Sequence, residues 1–412
     1  MVAVKVGAAV IGDDFFNREA EQRRLWQHFE TDHVLLLAPR RVGKTSLMLK
    51  LSDDAADKGF LAAYVTVESA TDEMGFVMKL LDGARSLDKS KSWLKSLANL
   101  ASGAQKAVRN AVRKGGPVEF RDPTAEPWGT LGQKVATELH KLAAKNNKRL
   151  LLLVDEVPVF VLQLLKLDPS GDRARTFLHW FRELRQTPEF IGTVRWLVTG
   201  SIGLDNIARR MGLTRTINDF YMFNDLGAFT EEHARTFLGV LSESVNLPMD
   251  EPTMKRFLER VGWLIPFHLQ VLFSALLDER GQGKAMAPEL VDVVYKRLVD
   301  RGHYFDHWVE RQREELQAPD DQHAIHLLTA AARPPEGALH STLEVVLGHQ
   351  IADVDARDQK LRYLLDVLQS DGYLVTAEGR YRFRSPMLRD FWLHRSGSAN
   401  PSGSNGAERA KR

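Results

Sequence analysis

The chain has 412 residues, 44% hydrophobic and 27% charged, with 56 basic against 54 acidic side chains and a net charge of +2. That length suggests two or three globular domains with a sizeable core, and the charge balance gives no bulk reason to bind nucleic acid or a membrane. Cysteine is absent, which excludes disulfides and thiolate metal sites.

The N-terminal MVAVKVGAAVIGDDFF is broken by Asp13 and Asp14 and makes a poor signal peptide. No apolar run in the sequence is long enough to span a bilayer. A cytoplasmic location without a membrane partner is expected. HVLLLA (33–38), FLAAYVTV (60–67), RLLLLVDE (149–156), VRWLVTGS (194–201) and FYMFNDL (220–226) read as strands, with helical periodicity between them. Strands alternating with helices imply an α/β domain over 1–230, with a parallel sheet covered on both faces.

Within that domain, 85–125 reads as a basic helical insert. Trp93, Leu97, Leu100 and Ala104 recur at helical spacing, lysines and arginines lie between them, and Asp88 is the sole acid of 85–114. Such a helix either packs by one face or binds an acidic surface. Amphipathic helices alone fill 231–315. Segment 316–395 predicts three helices, then GYLVTAEGRYRFRSP as a hairpin turning at Glu378-Gly379, the order of a winged helix. The Ser/Gly/Asn-rich 396–412 predicts a disordered tail. His303 and His307 stand one helical turn apart without a third ligand, which reads as structural.

Chemistry enters at APRRVGKTS. It fits the Walker A spacing G-x-x-x-x-G-K-[ST], with Ala38 where the first glycine is usual, and it joins a predicted strand to a predicted helix. Alanine resists positive φ, so Ala38 is a departure. The loop Pro39, Arg40, Arg41, Val42, Gly43 would wrap a β-phosphate with its amides. Lys44 would pair the β- and γ-phosphates, Thr45 would give its hydroxyl to Mg²⁺, and Ser46 would cap the turn. LLLLVDEV then ends a buried strand in two carboxylates, at the edge where parallel sheets bind ligands. Asp155 would hold Mg²⁺ through water, and Glu156 would orient and deprotonate an attacking water. No N-K-x-D or T-K-x-D guanine-reading motif is present, which favours ATP over GTP. The Asp-Glu pair favours hydrolysis over kinase chemistry.

FFNREAEQRRL, PRRVGKTSLM, LLLVDEVPVF, WFRELRQ, LVTGSIGL and GWLIPFHLQ together resemble prokaryotic AAA+ ATPases, of the branch shared by archaeal ATPases and STAND-type switch proteins. The resemblance runs almost end to end. It implies a P-loop NTPase (AAA+) α/β core, then an α-helical lid, then a winged helix, with ATP and Mg²⁺ between core and lid. It places Phe16 and Arg18 near the adenine and lets Pro266 start a lid helix against the base. A polar residue ending the fourth strand would sense the γ-phosphate, Ser201 first and Thr199 second. Arg209, Arg210 and Arg215 follow that strand, where an arginine finger would reach a neighbouring subunit. Solvated surface arginines are the simpler reading, so ATP-dependent self-association stays open.

In this branch the winged helix contacts duplex DNA or serves as a clamp or protein-binding arm. Arg380, Arg382 and Arg384 alternate along the wing and should share one face as phosphate contacts. The third helix sets Asp355, Asp358 and Asp366 beside Arg357, Lys360 and Arg362, a poor charge for a major groove. The implied activity is ATP hydrolysis to ADP and phosphate, coupled to the C-terminal domain. The alternative is an ATP-binding or DNA-binding switch with negligible turnover.

Overall fold

The computed structural model describes residues 4–88, 90, 93, 128–200, 203–280, 286–302, 304–316 and 318–398. Two compact units emerge: Ala9–Gly227, and Ala228–Arg412 joined by Met1–Ala8. Among the described residues, no helix is long and apolar enough to cross a membrane.

The first unit runs α1 (Glu19–His28), β1 (His33–Leu37), α2 (Lys44–Asp54), β2 (Phe60–Thr66), α3 (Glu73–Ala84), α4 (Trp128–Lys145), β3 (Arg149–Asp155), α5 (Val157–Leu167), α6 (Asp172–Arg185), β4 (Val194–Gly200), α7 (Leu204–Arg210) and β5 (Phe220–Phe223). The sheet order is β2-β3-β4-β1-β5 with every pair parallel. All of β4 is buried, as is β3 beyond Arg149. Both faces of those strands are covered, which is why they read as continuous apolar runs rather than as alternation. The turn after β1 and the carboxylates after β3 therefore emerge at the same, C-terminal edge of the sheet, on either side of β4.

Beneath α3, α5 and α6 lies an aromatic cluster. Phe177 sits edge-on to Phe76 and Phe160, each at 4.9 Å, and Phe181 meets Trp196 of β4 at 5.2 Å. These edge-to-face contacts add to the apolar burial that holds the helices on the sheet. Two buried arginines donate to backbone carbonyls. Arg195 on β4 donates to the carbonyls of Phe29 and Glu30 where α1 ends. Arg185 donates to the Phe181 and Thr216 carbonyls and grips Asp219 with two bonds, of 2.9 and 2.8 Å.

The Arg185–Asp219 pair makes a stability prediction. Burial alone would push the Asp219 carboxyl up, but the Arg185 guanidinium holds it below the usual carboxylate range. With the folded value depressed, the stabilisation is present above the ordinary carboxylate range and lost as pH falls through the folded value. Arg185→Met should leave Asp219 unpaired and cost about 3–5 kcal/mol, measured by urea unfolding at neutral pH. On acidification the variant should lack this part of the wild-type loss. An unchanged urea midpoint would refute the assignment.

The second unit runs α8 (Glu231–Ser244), α9 (Glu251–Val261), α10 (Pro266–Arg280), α11 (Pro288–Arg301), α12 (Asp306–Glu315), α13 (Asp320–Ala332), β6 (Ala338–Leu339), α14 (His340–Gly348), α15 (Val354–Ser370), β7 (Leu374–Ala377), β8 (Arg380–Phe383) and α16 (Pro386–Ser398). Three of these helices start on side-chain caps the sequence supplies: Thr230, Asp250 and Asp353 each accept from the backbone N–H three residues on. The small sheet has the order β6-β8-β7, antiparallel throughout. Glu378 and Gly379 turn its hairpin with φ of 52° and 72°, the left-handed pair a two-residue hairpin loop requires.

Several sequence expectations fall on residues outside the described ones: Ser201, His303, the insert from 94 to 127 and the tail beyond 398. At the start of the insert, Trp93 is buried and its indole N–H donates to the Ala84 carbonyl at 3.0 Å.

Candidate active site

The turn after β1 is built on backbone conformation. Gly43 is the N-cap of α2 with φ of 101°, a region open to glycine and costly for any other residue. Ala38 is not among the residues with positive φ, so the motif's first position demands no glycine here. The left-handed turn falls instead on Arg41, at φ 64°. Val42 is buried and anchors the loop. Lys44 is also buried, and its ammonium donates to the Ala38 and Pro39 carbonyls at 2.8 Å each. Ser46 does not cap the turn. The N-cap is a glycine with no side-chain hydrogen bond, and the Ser46 hydroxyl accepts the Val10 N–H at 3.0 Å.

Among the described residues, seven non-glycine residues have positive φ. Three are asparagines, which tolerate the region, and Glu378 sits in the hairpin turn. The remaining three, Arg18, Arg41 and Glu156, all belong to this site. Each such conformation costs about 1 kcal/mol or more, and strain of this kind collects at functional sites.

Arg18 precedes α1, is buried, and donates to the Gly227 carbonyl at 2.6 Å and to the Val42 carbonyl at 3.4 Å. It also pairs with Glu21 at 2.8 Å. Arg18 thus ties the backbone of the loop after β1 to the segment leaving β5. Phe16 is half-buried two residues earlier.

Asp155 ends β3 and is 4% exposed. Its Oδ2 accepts the Thr45 hydroxyl at 2.9 Å and the Tyr64 hydroxyl at 3.2 Å. Burial first, then the Glu156 carboxylate, push the Asp155 carboxyl above its usual range, while Thr45, Lys44 and Tyr64 oppose the rise. Burial first, then the Asp155 carboxylate it bonds to, push the Tyr64 phenol up, so it keeps its proton as a donor. Glu156 turns the chain from β3 into α5 with φ 64° and ψ 32°.

The end of β4 passes close to Glu156. A Cβ at Gly200 would lie 2.4 Å from Pro158 Cδ and 3.4 Å from Glu156 Oε2. Any side chain there would displace the turn that carries Glu156. The second-choice sensor, Thr199, is fully buried, and its hydroxyl donates to the Leu36 carbonyl of β1 at 3.1 Å. Sequence reading missed Tyr64, Gly200 and the carbonyl grip of Arg18.

The donor set suits a magnesium nucleotide. Thr45 and Asp155 offer hard oxygens, which Mg²⁺ prefers while keeping several of its waters. The N-terminus of α2 aims amides at the space beside Gly43, where nothing lies within 4 Å of a built Cβ; such an end favours anions. Arg209, Arg210 and Arg215 are exposed, with Arg209 3.9 Å from Asp205.

The other named residues belong to the second unit. Pro266 opens α10, where a missing N–H costs nothing. The three wing arginines do not share one open face. β8 ends at Phe383, so Arg384 lies past the strand, and its guanidinium sits 5.5 Å over the Trp263 ring. Arg380 donates to the Gly337 carbonyl at 3.2 Å, and Arg382 is exposed. On α15, Lys360 binds the buried Asp320 at 2.6 Å, Arg357 reaches Glu344 on α14 at 3.4 Å, and Arg362 pairs with Asp358 at 2.9 Å.

A parallel five-stranded sheet with a strand–turn–helix loop at its C-terminal edge, followed by a mostly helical C-terminal part, defines an α/β fold of the P-loop NTPase kind. Solved structures share it. The chain is similar to a Walker-type ATPase of Pyrococcus abyssi, with a TM-score of 0.63 at 17% identity over 94% of this chain and 99% of that one. It is also similar to the ORC2 protein of Aeropyrum pernix, solved in ADPNP–ADP complexes, with a TM-score of 0.50 at 14% identity over 94% and 98%. At these identities the likeness is one of fold. No protein-family model and no curated protein sequence matches the chain.

Proposed function

We propose that the chain is an ATP-hydrolysing AAA+ switch of the STAND-like kind, whose nucleotide state governs its C-terminal domain. The observation that carries this reading is the 2.9 Å bond from Thr45 to Asp155. It joins the phosphate loop to the carboxylate strand, two segments 110 residues apart. A nucleotide bound with Mg²⁺ would have its phosphates held by the loop amides from Arg40 to Gly43, with Lys44 and the Ser46 backbone. Thr45 and Asp155 would hold the metal, which supplies charge neutralisation on the phosphates. Glu156 takes the proton from the attacking water. Ser201, which ends the β4 motif, is retained as the γ-phosphate sensor. Arg18 holds the Val42 carbonyl, so its contribution is to the shape of the loop. Phe16 would stand near the adenine, as the resemblance implies, and Pro266 would start a lid helix. The protein would act in the cytoplasm, and self-association on ATP is an outcome to test by sedimentation with and without nucleotide.

Residues 231–315 would be the lid. The order α13, β6, α14, α15, β7, β8 supports a winged helix over 316–395. A protein partner is favoured over duplex DNA by a specific observation: the basic side chains of α15, with Arg380 and Arg384, are engaged within the unit. Replacing Arg380, Arg382 and Arg384 together by Ala should change affinity for a random duplex by less than about threefold, measured by fluorescence anisotropy at 50 and 200 mM salt. Phosphate contacts would instead give a clear loss and a shallower salt dependence. The enzymatic reading is tested by phosphate release from ATP with Mg²⁺, with and without duplex. Tight ATP binding without turnover in any condition would leave a binding switch rather than an ATPase.

A further inference from the structure

Resting on the nucleotide-site reading above, we infer that Tyr64 is a positioning residue for the metal end of the site. Its hydroxyl fixes which oxygen of Asp155 faces the phosphate loop, and so sets how tightly Mg²⁺ is held with the nucleotide.

Tyr64 pairs with Leu153 across the β2–β3 ladder, so it shares a sheet face with Leu153 and Asp155, and Asp155 is its diagonal neighbour towards the C-terminal edge. Val65, the next residue, faces the opposite side, where a Cβ at Gly83 of α3 would lie 2.4 Å from Val65 Cγ2. Tyr64 thus lies on the side of Thr45, at the start of α2. Thr66 stands directly opposite Asp155 in register but is exposed. The half-buried tyrosine, one position pair further back, is long enough to reach the carboxylate along the sheet, and its bond is 3.2 Å.

Both hydroxyls converge on the same atom, Asp155 Oδ2. That leaves Oδ1 as the oxygen to accept from a metal-bound water. Thr45 belongs to the nucleotide loop, so its hydroxyl must serve both carboxylate and metal. Tyr64 belongs to β2, and its bond does not depend on the loop. A buried carboxylate with one donor can rotate about its side-chain torsion; with two donors from different elements it is held. An ordered second partner for a metal's supporting carboxylate commonly changes metal affinity by about tenfold or more.

Tyr64→Phe keeps the ring and removes only the hydroxyl. Binding of a fluorescent ATP analogue is titrated in EDTA and then against Mg²⁺, for wild type, Tyr64→Phe and Lys44→Ala. The expected result is EDTA affinity within about twofold of wild type and a half-saturating Mg²⁺ concentration raised about tenfold. Tyr64→Trp, which cannot place a donor at the same point, should not restore the wild-type value. An unchanged Mg²⁺ dependence in Tyr64→Phe overturns the inference, and so does an equal loss of affinity with and without Mg²⁺, which would mean a structural role. Failure of the underlying reading looks different: wild type and Lys44→Ala would then bind the analogue alike, or neither would bind, and the inference would fall with it.

Discussion

Glu156→Gln is expected to lower steady-state ATP turnover by about a hundredfold or more, with ATP affinity within about threefold of wild type. The two carboxylates at the end of β3 are in different situations, and the proposed roles follow that difference. Asp155 is buried and bonded to Thr45 and Tyr64, so it is committed to orienting groups. Glu156 caps α5 in a left-handed conformation beside the end of β4. A glutamate held in a strained turn has its position fixed by what surrounds it, here the Pro158–Gly200 contact. Glutamine preserves shape and hydrogen-bonding reach but cannot take a proton at neutral pH. The variant should therefore accumulate the ATP-bound form, which filter binding with labelled ATP would detect as retained, uncleaved nucleotide. Turnover within about twofold of wild type would remove Glu156 from the reaction and leave the P-loop as a binding site.

The parts of this site that sequence revealed are those carried by local pattern. The apolar run before Asp155 is continuous because β3 is covered on both faces, and the loop before Lys44 is marked by Gly43, whose left-handed backbone starts α2. The hairpin at Glu378-Gly379 was equally legible, since only certain residues tolerate its turn. What stayed hidden depends on pairing between distant segments. Tyr64 reads as one more apolar member of FLAAYVTV, and its partner lies 91 residues away. Gly200 reads as a strand-ending glycine until Pro158 is placed against it. The wing arginines alternate in sequence as a one-faced strand would, but β8 is too short to include Arg384, which turns onto Trp263. Two-residue β6 left no period to read. The Ala38 departure also resolves only in three dimensions: the position supplies a carbonyl to Lys44 and needs no left-handed backbone.

Lys44→Ala should weaken ATP binding by about 30-fold or more in calorimetry, equivalent to about 2 kcal/mol or more, as expected when one partner of a desolvated charge pair is truncated. The ammonium is buried and held by the Ala38 and Pro39 carbonyls, so it is poised over its own loop rather than extended into solvent. Those bonds are to neutral acceptors. A phosphate is itself charged, so exchange of carbonyl for phosphate replaces a charge–dipole contact with a charge–charge one and favours the bound state. The side chain contributes little to folding through these contacts, because both acceptors lie in a turn at the sheet edge that water can reach once the lysine is gone. Thermal stability without nucleotide should therefore change by no more than a few degrees, which separates loss of binding from loss of fold. Lys44→Arg makes a sharper test of geometry. It keeps the charge but presents a planar fork where a compact ammonium fits between two carbonyls 2.8 Å away, and it should recover only a fraction of the lost affinity. Wild-type affinity in Lys44→Ala would mean that the loop after β1 does not hold the phosphates, and the site would have to be sought elsewhere.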